Sequence, residues 1–173
     1  MTKPSLYIIV AVDKNFGIGK EGKMPWAFSK EMKHFKDTTL ATEDAEKQNM
    51  VIMGRTTWES IPGKYRPLQG RRNAVLTSNK EYKAGGAKVF SSIRAAIDSA
   101  DEEIEKIFII GGGKLYAQAV EIADLDGIYV TKIDHSYECD TFFPEIPKEL
   151  PRMEELSSDE EDGVSFKYLL YKR

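Results

Sequence analysis

The chain has 173 residues, 41% hydrophobic and 31% charged, with a net charge of −3. That size fits one domain with a core large enough to need neither metal nor disulfide, and interspersed charges of both signs create no basic field for nucleic acid or anionic membrane. Cys139, the single cysteine, excludes an internal disulfide, the start MTKPSLYIIV lacks the charged-then-apolar order of a secretory signal, and no apolar run approaches the ~20 residues that span a bilayer.

A cytoplasmic protein is therefore expected, one domain over residues 1–173, with small-molecule rather than nucleic-acid or membrane partners and with no metal; a monomer is expected as well, although composition alone does not fix it. LYIIVAV, NMVIM, NAVLT and KIFII are rich in branched apolar residues and read as strands buried on both faces, the habit of a parallel sheet covered by helices. After the first comes GIGKEG at 17–22, which satisfies G-x-G-x-x-G. In a Rossmann fingerprint the third glycine already lies within a helix that receives a pyrophosphate, whereas here Lys23, Met24 and Pro25 follow directly. Gly17, Gly19 and Gly22 read instead as hinges of a loop.

PWAFSKEMKHF, 25–35, opens the first helix. Pro25 ends the loop and Ser29 can cap the helix. Phe28, Met32 and Phe35 recur along one side with Glu31 on the same stripe, while Lys30, Lys33 and Lys36 fall off it. A carboxylate on an apolar face is costly unless paired or hydrogen-bonded, and alone its pKa rises. A rim glutamate would pack its stem and keep its head in water. With Trp26, Phe28 and Phe35 beside it and Met24 closing a glycine-rich loop, Glu31 reads as the acidic anchor of an aromatic-walled pocket for a flat heterocycle bearing N–H donors.

Further on, Gly54 leads into a short helix, TTWES, stopped by Pro62, and Ser91 or Ser92 can cap a helix with Ile93, Ala96, Ile97 and Ala100 on one face. KIFII runs into Gly111, Gly112 and Gly113 and then the helical KLYAQAVE, so that backbone N–H groups and a positive helix end can meet a pyrophosphate. GRTT at 54–57 repeats the arrangement and adds Arg55. Tight turns and a surface charge would explain each alone; together they suggest one long dinucleotide. Strand alternating with helix argues for an α/β fold. DGIYVTKI reads as a strand, SFKYLLYK as an edge or hairpin strand in an antiparallel addition, and the acidic SSDEEDG at 157–163 as a solvated hairpin turn. His34 is placed on the outward face of its helix and His135 beyond the IYVTKID strand, both solvated.

In chain order, LYIIVAV with GIGKEGKMPW, NMVIMGRTTWESIP, RPLQGRRNAVLTS, IFIIGGGKLY, IYVTKID and CDTFFPEIP resemble the blocks of the dihydrofolate reductase family, over nearly the whole length. The resemblance implies a central, mostly parallel twisted sheet with an antiparallel C-terminal hairpin and helices on both faces. It implies reduction of 7,8-dihydrofolate to tetrahydrofolate with NADPH, hydride going to C6 and a proton to N5. Glu31 matches the family's single active-site acid, Thr131 the threonine bonded to it, and Trp26 the tryptophan that holds a water beside it, with Met24 on the closing loop. Ile9, Val10, Ala11, Met32, Phe35, Ile61, Leu68 and Ile110 match the walls around the pterin and benzoyl rings. Arg71 matches the arginine that pairs with the glutamate tail, a role open to Arg72 if the register slips by one.

On the cofactor side the resemblance implies Gly111, Gly112, Gly113, Lys114 and Leu115 at the pyrophosphate-binding helix start, and Gly54, Arg55, Thr56 and Thr57 on the opposite flank. Thr77 and Ser78, with Arg55, stand where the 2′-phosphate of NADPH is selected, with Leu76 beside them at the cofactor. Ala11, Ile18, Gly19 and Ile110 are also expected at the cofactor, Tyr116 near the nicotinamide, and the Gly111–Gly112 peptide in the cis form. No side chain is placed to protonate N5, so water is the expected donor. Two other readings compete: an NADPH-dependent pyrimidine reductase of riboflavin synthesis, and a folate- or nucleotide-binding module without turnover. The acid after Trp26 and the RPLQGR block speak against the first, the filled catalytic positions against the second.

Overall fold

A computed structural model describes residues 3–173. In chain order they form β1 (Ser5–Val12), β2 (Gly17–Gly19), α1 (Ser29–Leu40), β3 (Gln48–Gly54), α2 (Arg55–Ser60), β4 (Arg71–Leu76), β5 (Lys88–Phe90) and α3 (Ile93–Asp98). There follow β6 (Ile104–Ile109), α4 (Gly113–Ala119), β7 (Gly127–Ile133), β8 (Thr141–Phe142), β9 (Arg152–Glu161) and β10 (Val164–Lys172). Eight strands make one sheet in the order β5-β4-β3-β6-β1-β7-β10-β9, and β2 with β8 forms a separate ribbon. Pairing is parallel from β5 through β7 and antiparallel for β7 with β10 and β10 with β9. This is the mostly parallel sheet with an antiparallel C-terminal hairpin that the sequence pattern implied.

Alternation along β1 divides the core. Ile8, Val10 and Val12 face Leu115 and Ala119 of α4 and Ala96 and Ile97 of α3, while Ile9 faces Val51, Met53, Phe108 and Trp58 of α2, with Phe35 of α1 packed against the same cluster. Helices α1 and α2 therefore cover one face of the sheet and α3 and α4 the other.

Ser92 caps α3 as expected, its hydroxyl accepting from the Ala95 amide at 3.1 Å. Ser29 does not cap α1. The helix begins at Ser29 itself, with Phe28 at the N-cap position and no side-chain bond from it. The Ser29 and Lys30 amides donate instead to the two carboxylate oxygens of Glu161, each at 2.9 Å. A cap is worth about 0.5–2 kcal/mol, and here it arrives from the opposite end of the chain.

The apolar stripe of α1 also differs from expectation. Phe28 lies outside the helix and packs on Phe166, ring centroids 5.2 Å apart, and Met32 is 62% exposed. The inward arc runs through Glu31, Phe35 and the fully buried Thr39, successive i, i+4 positions, and one residue of rotation carries Met32 past it. His34 is not on a solvated face: its ring stacks on Tyr168 with centroids 3.8 Å apart, and burial lowers its pKa.

Near the C-terminus β7 is parallel to β1, so the antiparallel part begins only at β10, which lies inside the sheet and leaves β9 as the edge. The acidic stretch is mostly strand. The reversal is confined to Asp162 and Gly163, with φ of 53° and 76°, the left-handed pair that two-residue hairpins require. The GIGKEG loop contains a smaller version of this turn, Lys20 and Lys23 exchanging backbone bonds of 2.8 and 3.0 Å around Glu21 and Gly22. No helix starts there before Ser29, which separates it from a Rossmann turn.

Candidate active site

The parallel strands β1, β3, β6 and β7 all end at one edge of the sheet. β6 lies between β1 and β3, yet its chain leaves toward the α4 face while theirs leaves toward the α1 and α2 face. Such a reversal opens a crevice at the carboxyl ends of the strands, the place where α/β sheets hold ligands.

Glu31 enters this region from the first turn of α1. Burial raises its carboxyl to about 7, and the neighbouring Thr131 hydroxyl works in the opposite direction. Thr131, itself buried, sits in β7 between Ala11 of β1 and Tyr168 of β10. Trp26 is buried against Tyr137, centroids 5.2 Å apart, and its indole Nε1 is the one buried side-chain polar atom without a partner among the described residues. Met24 stands 58% exposed on the loop before it. His135 is exposed, as expected.

Ile9, Phe35, Ile61, Leu68 and Ile110 gather in one cluster on the α1 and α2 face, and Ala11 belongs to the cluster of Trp26 and Phe28. Met32 and Val10 are the exceptions among the expected wall residues. Met32 lies off the inward arc of α1 and is exposed, and strand alternation turns the Val10 side chain to the opposite core, leaving only its backbone on the Glu31 side.

Arg71 is 9% exposed and has no acidic partner among the described residues; burial lowers its pKa. Its Nε donates to the Gln69 carbonyl at 3.0 Å and one terminal nitrogen to the Thr39 hydroxyl at 2.9 Å. With the Nε edge committed, the free N–H groups lie on the two terminal nitrogens, an end-on fork suited to a carboxylate. Arg72, one residue along, points elsewhere and pairs with Asp101 at 3.0 Å and Glu103 at 3.1 Å. The two arginines are thus sorted by strand alternation, and only Arg71 retains free donors for an anion.

The two glycine turns meet. The Gly54 amide donates to the Gly111 carbonyl at 2.9 Å, and the Thr57 hydroxyl lies 3.4 Å from where a Cβ on Gly112 would stand. A Cβ on Gly113 would be 2.8 Å from Thr141 Cγ2, so the close approach of β8 requires glycine there. The Gly111–Gly112 peptide is cis, as the resemblance implied. Tyr116, buried, donates its hydroxyl to the Ile9 carbonyl at 2.8 Å; burial, with Glu31 adding to it, pushes its pKa up. Leu115 points into the α3 and α4 core, whereas Lys114 is exposed and Ile18 half-buried. Arg55 bonds Glu59 through Nε at 3.1 Å and lies over the Tyr82 ring at 4.3 Å, and Tyr82 donates to the same Glu59 carboxylate at 2.9 Å. Gly19, Thr56, Leu76, Thr77 and Ser78 lie in or beside the strand ends and turns around these residues, Thr77 bonded through its amide to Phe90 at 3.0 Å.

Three supporting residues escaped sequence reasoning. Thr39 holds Arg71 and carries no signal in a helix of mixed polarity. Glu161 caps α1 from 131 positions away. Asp13, fully buried, accepts the amides of Gly17 at 2.7 Å and of Asn15 and Tyr137 at 2.9 Å, tying the glycine loop to the segment before β8. Burial works to raise its carboxyl, but these bonds outweigh it and hold it below its ordinary range.

A doubly wound sheet that sets a desolvated acid beside two abutting glycine turns defines an α/β protein built to hold an extended nucleotide next to an acid-anchored cleft. A family model described as dihydrofolate reductase matches residues 5–173. A dihydrofolate reductase of Heliothis virescens is 40% identical with both chains fully covered, and one of Drosophila melanogaster 37% identical over 96% of each. The Schistosoma mansoni dihydrofolate reductase structure superposes with a TM-score of 0.84 at 35% identity, covering 99% of both chains. A bifunctional dihydrofolate reductase-thymidylate synthase of Arabidopsis thaliana is 45% identical over 80% of this chain, which spans only 28% of that relative's length. The chain belongs to the dihydrofolate reductase family.

Proposed function

We propose that the chain, as one monomeric domain over residues 1–173 in the cytoplasm, reduces 7,8-dihydrofolate to 5,6,7,8-tetrahydrofolate with NADPH. The observation that carries this reading is Glu31, a single desolvated carboxyl beside the Thr131 hydroxyl at the strand ends. Family membership supports it. The residues present also fit a dinucleotide: the glycine turns abut through Gly54 and Gly111, and at Gly113 the backbone is bared by a contact that a side chain would obstruct. Gly112, Gly113 and Lys114 would hold the pyrophosphate from one flank and Arg55, Thr56 and Thr57 from the other. Thr77 and Ser78, with Arg55, would meet the 2′-phosphate.

When bound, NADPH supplies the hydride that the pterin accepts at C6. Glu31 binds the amidine-like edge of the pterin, fixes its orientation and stabilises the positive charge that develops across the ring. With its carboxyl near 7, it exchanges protons readily at neutral pH and favours the tautomer whose N5 can be protonated. The N5 proton comes from water. Tyr116 cannot supply it, because its hydroxyl is committed to Ile9 and its pKa is raised. The unpartnered Trp26 Nε1 supports a water held beside Glu31. Ile9, Ala11, Phe35, Ile61, Leu68 and Ile110 exclude solvent from the rings, Arg71 takes the tail carboxylate, and Met24 closes its loop over the site.

Mixing the purified protein with NADPH and dihydrofolate and following the nicotinamide absorbance tests the reading. Oxidation that requires dihydrofolate is expected. Oxidation only with the pyrimidine precursor of riboflavin, or binding without oxidation, overturns it.

A further inference from the structure

The C-terminal hairpin grips the helix that bears the acid. Glu161 accepts the first two amides of α1, at 2.9 Å each, across 132 and 131 positions of sequence. Around that bidentate contact, Lys30 Nζ donates to the Glu160 carbonyl at 2.9 Å and lies 3.3 Å from Asp159 Oδ1, and the Tyr168 hydroxyl reaches the Lys30 carbonyl at 3.4 Å. The Tyr168 ring stacks on His34, one turn further along α1. Every contact falls on the turn that carries Glu31 or the next, and α1 has no cap of its own.

We propose that Glu161 is a positioning residue for Glu31: by chelating the Ser29 and Lys30 amides, it fixes the helix turn from which the acid reaches the cleft. The inference rests on the role given to Glu31 above. The groups facing this turn are Lys30 and His34 on α1 itself, Asp159, Glu160 and Glu161 from β9, Tyr168 from β10, the neutral Thr131 from β7 and Tyr116 from α4. Burial, with the fields of Asp159, Glu31 and Glu161 adding to it, pushes the Tyr168 hydroxyl up to about 12.

Two consequences of removing the Glu161 carboxylate act on Glu31 in one direction. The positive end of α1 is left uncompensated, and the loosened turn gives the acid more water. Each eases loss of the Glu31 proton. Glu160, whose side chain takes no part in the clamp, supplies a matched control of equal charge on the same hairpin.

The test is a carbon-13 NMR titration of glutamate carboxyls in the full chain without ligand, with the Glu31 signal assigned by its loss in Glu31→Gln. In Glu161→Gln the Glu31 midpoint should fall by about half a unit, a roughly threefold weaker hold on the proton, and the Ser29 and Lys30 amides should exchange faster. Glu160→Gln should change neither. An unmoved midpoint in Glu161→Gln, or an equal shift in Glu160→Gln, overturns the proposal. The pH dependence of hydride transfer to dihydrofolate then separates this idea from the one beneath it. If the carboxyl midpoint moves and the rate profile follows, both stand; if the midpoint moves and the profile does not, Glu161 positions Glu31, but Glu31 lacks the role in turnover given to it.

Discussion

Arg71 donates a hydrogen bond of 2.9 Å to the hydroxyl of Thr39, and both side chains are buried. A guanidinium held this way is pre-aimed. Replacing Thr39 by valine keeps the volume and strands a buried charged donor, a loss of ~1–3 kcal/mol. The expected result is a dihydrofolate KM raised roughly tenfold with little change for a dihydropterin that lacks the glutamate tail. Equal losses on both substrates would show that Thr39 serves only the stability of the helix.

Arg71 and Arg72 should separate cleanly. Arg71→Lys replaces a planar fork by a point charge, and dihydrofolate binding should weaken by about 10- to 100-fold. Arg72→Lys alters only a surface pairing with Asp101 and Glu103, so binding should stay within about twofold. Fluorescence titration of both variants decides the matter, and comparable losses would place the tail elsewhere.

Glu31→Gln should leave NADPH binding nearly intact and lower hydride transfer steeply at neutral pH, while making the protein more stable. The folded carboxyl titrates at about 7, above its ordinary 4.5. Between those values the native state keeps a proton that the unfolded chain has released, so stability falls as pH rises through the interval and stays low above it. Urea denaturation at pH 8 should show Glu31→Gln more stable by up to ~3 kcal/mol, with the advantage gone below pH 4.5. A destabilised variant at pH 8 would mean the carboxylate is well compensated in the fold.

Arg55→Ala should narrow the preference for NADPH over NADH by about tenfold, read from the ratio of the two kcat/KM values. Glu59 and Tyr82 hold the guanidinium through Nε and one face, leaving its terminal nitrogens for a phosphate. An unchanged ratio would assign selection to Thr77 and Ser78 alone.

Gly113→Ala should weaken NADPH binding, because its new Cβ would stand 2.8 Å from Thr141 Cγ2. Thr141→Ser removes that methyl, so the double variant should recover most of the affinity. Failure of this rescue would point to a requirement in the turn itself and away from the contact with β8.

Features decided by local pattern were legible in the sequence. Branched apolar runs identified β1, β3, β4 and β6, Ser92 announced α3, and the glycines after β3 and β6 lay where two adjacent strands end. Glu31 was conspicuous because it interrupts an apolar arc. What eluded the sequence depended on partners distant along the chain. Ser29 looked like a cap until Glu161 supplied the bonds, His34 looked solvated until Tyr168 lay beneath it, and Val10 was grouped with Ile9 and Ala11 although alternation turns it to the other core. Arg71 and Arg72 were separable only after β4 took its register.

The bond between residue 161 and the start of α1 also bears on birth order. On the ribosome, the acid emerges long before the hairpin that braces it. A nascent chain can pair β1 with β6 and β7 while the first turn of α1 still lacks its carboxylate clamp. Maturation of the cleft is therefore tied to β9 and β10, which are made well after α1, and a chain arrested before them would carry Glu31 on an unbraced helix.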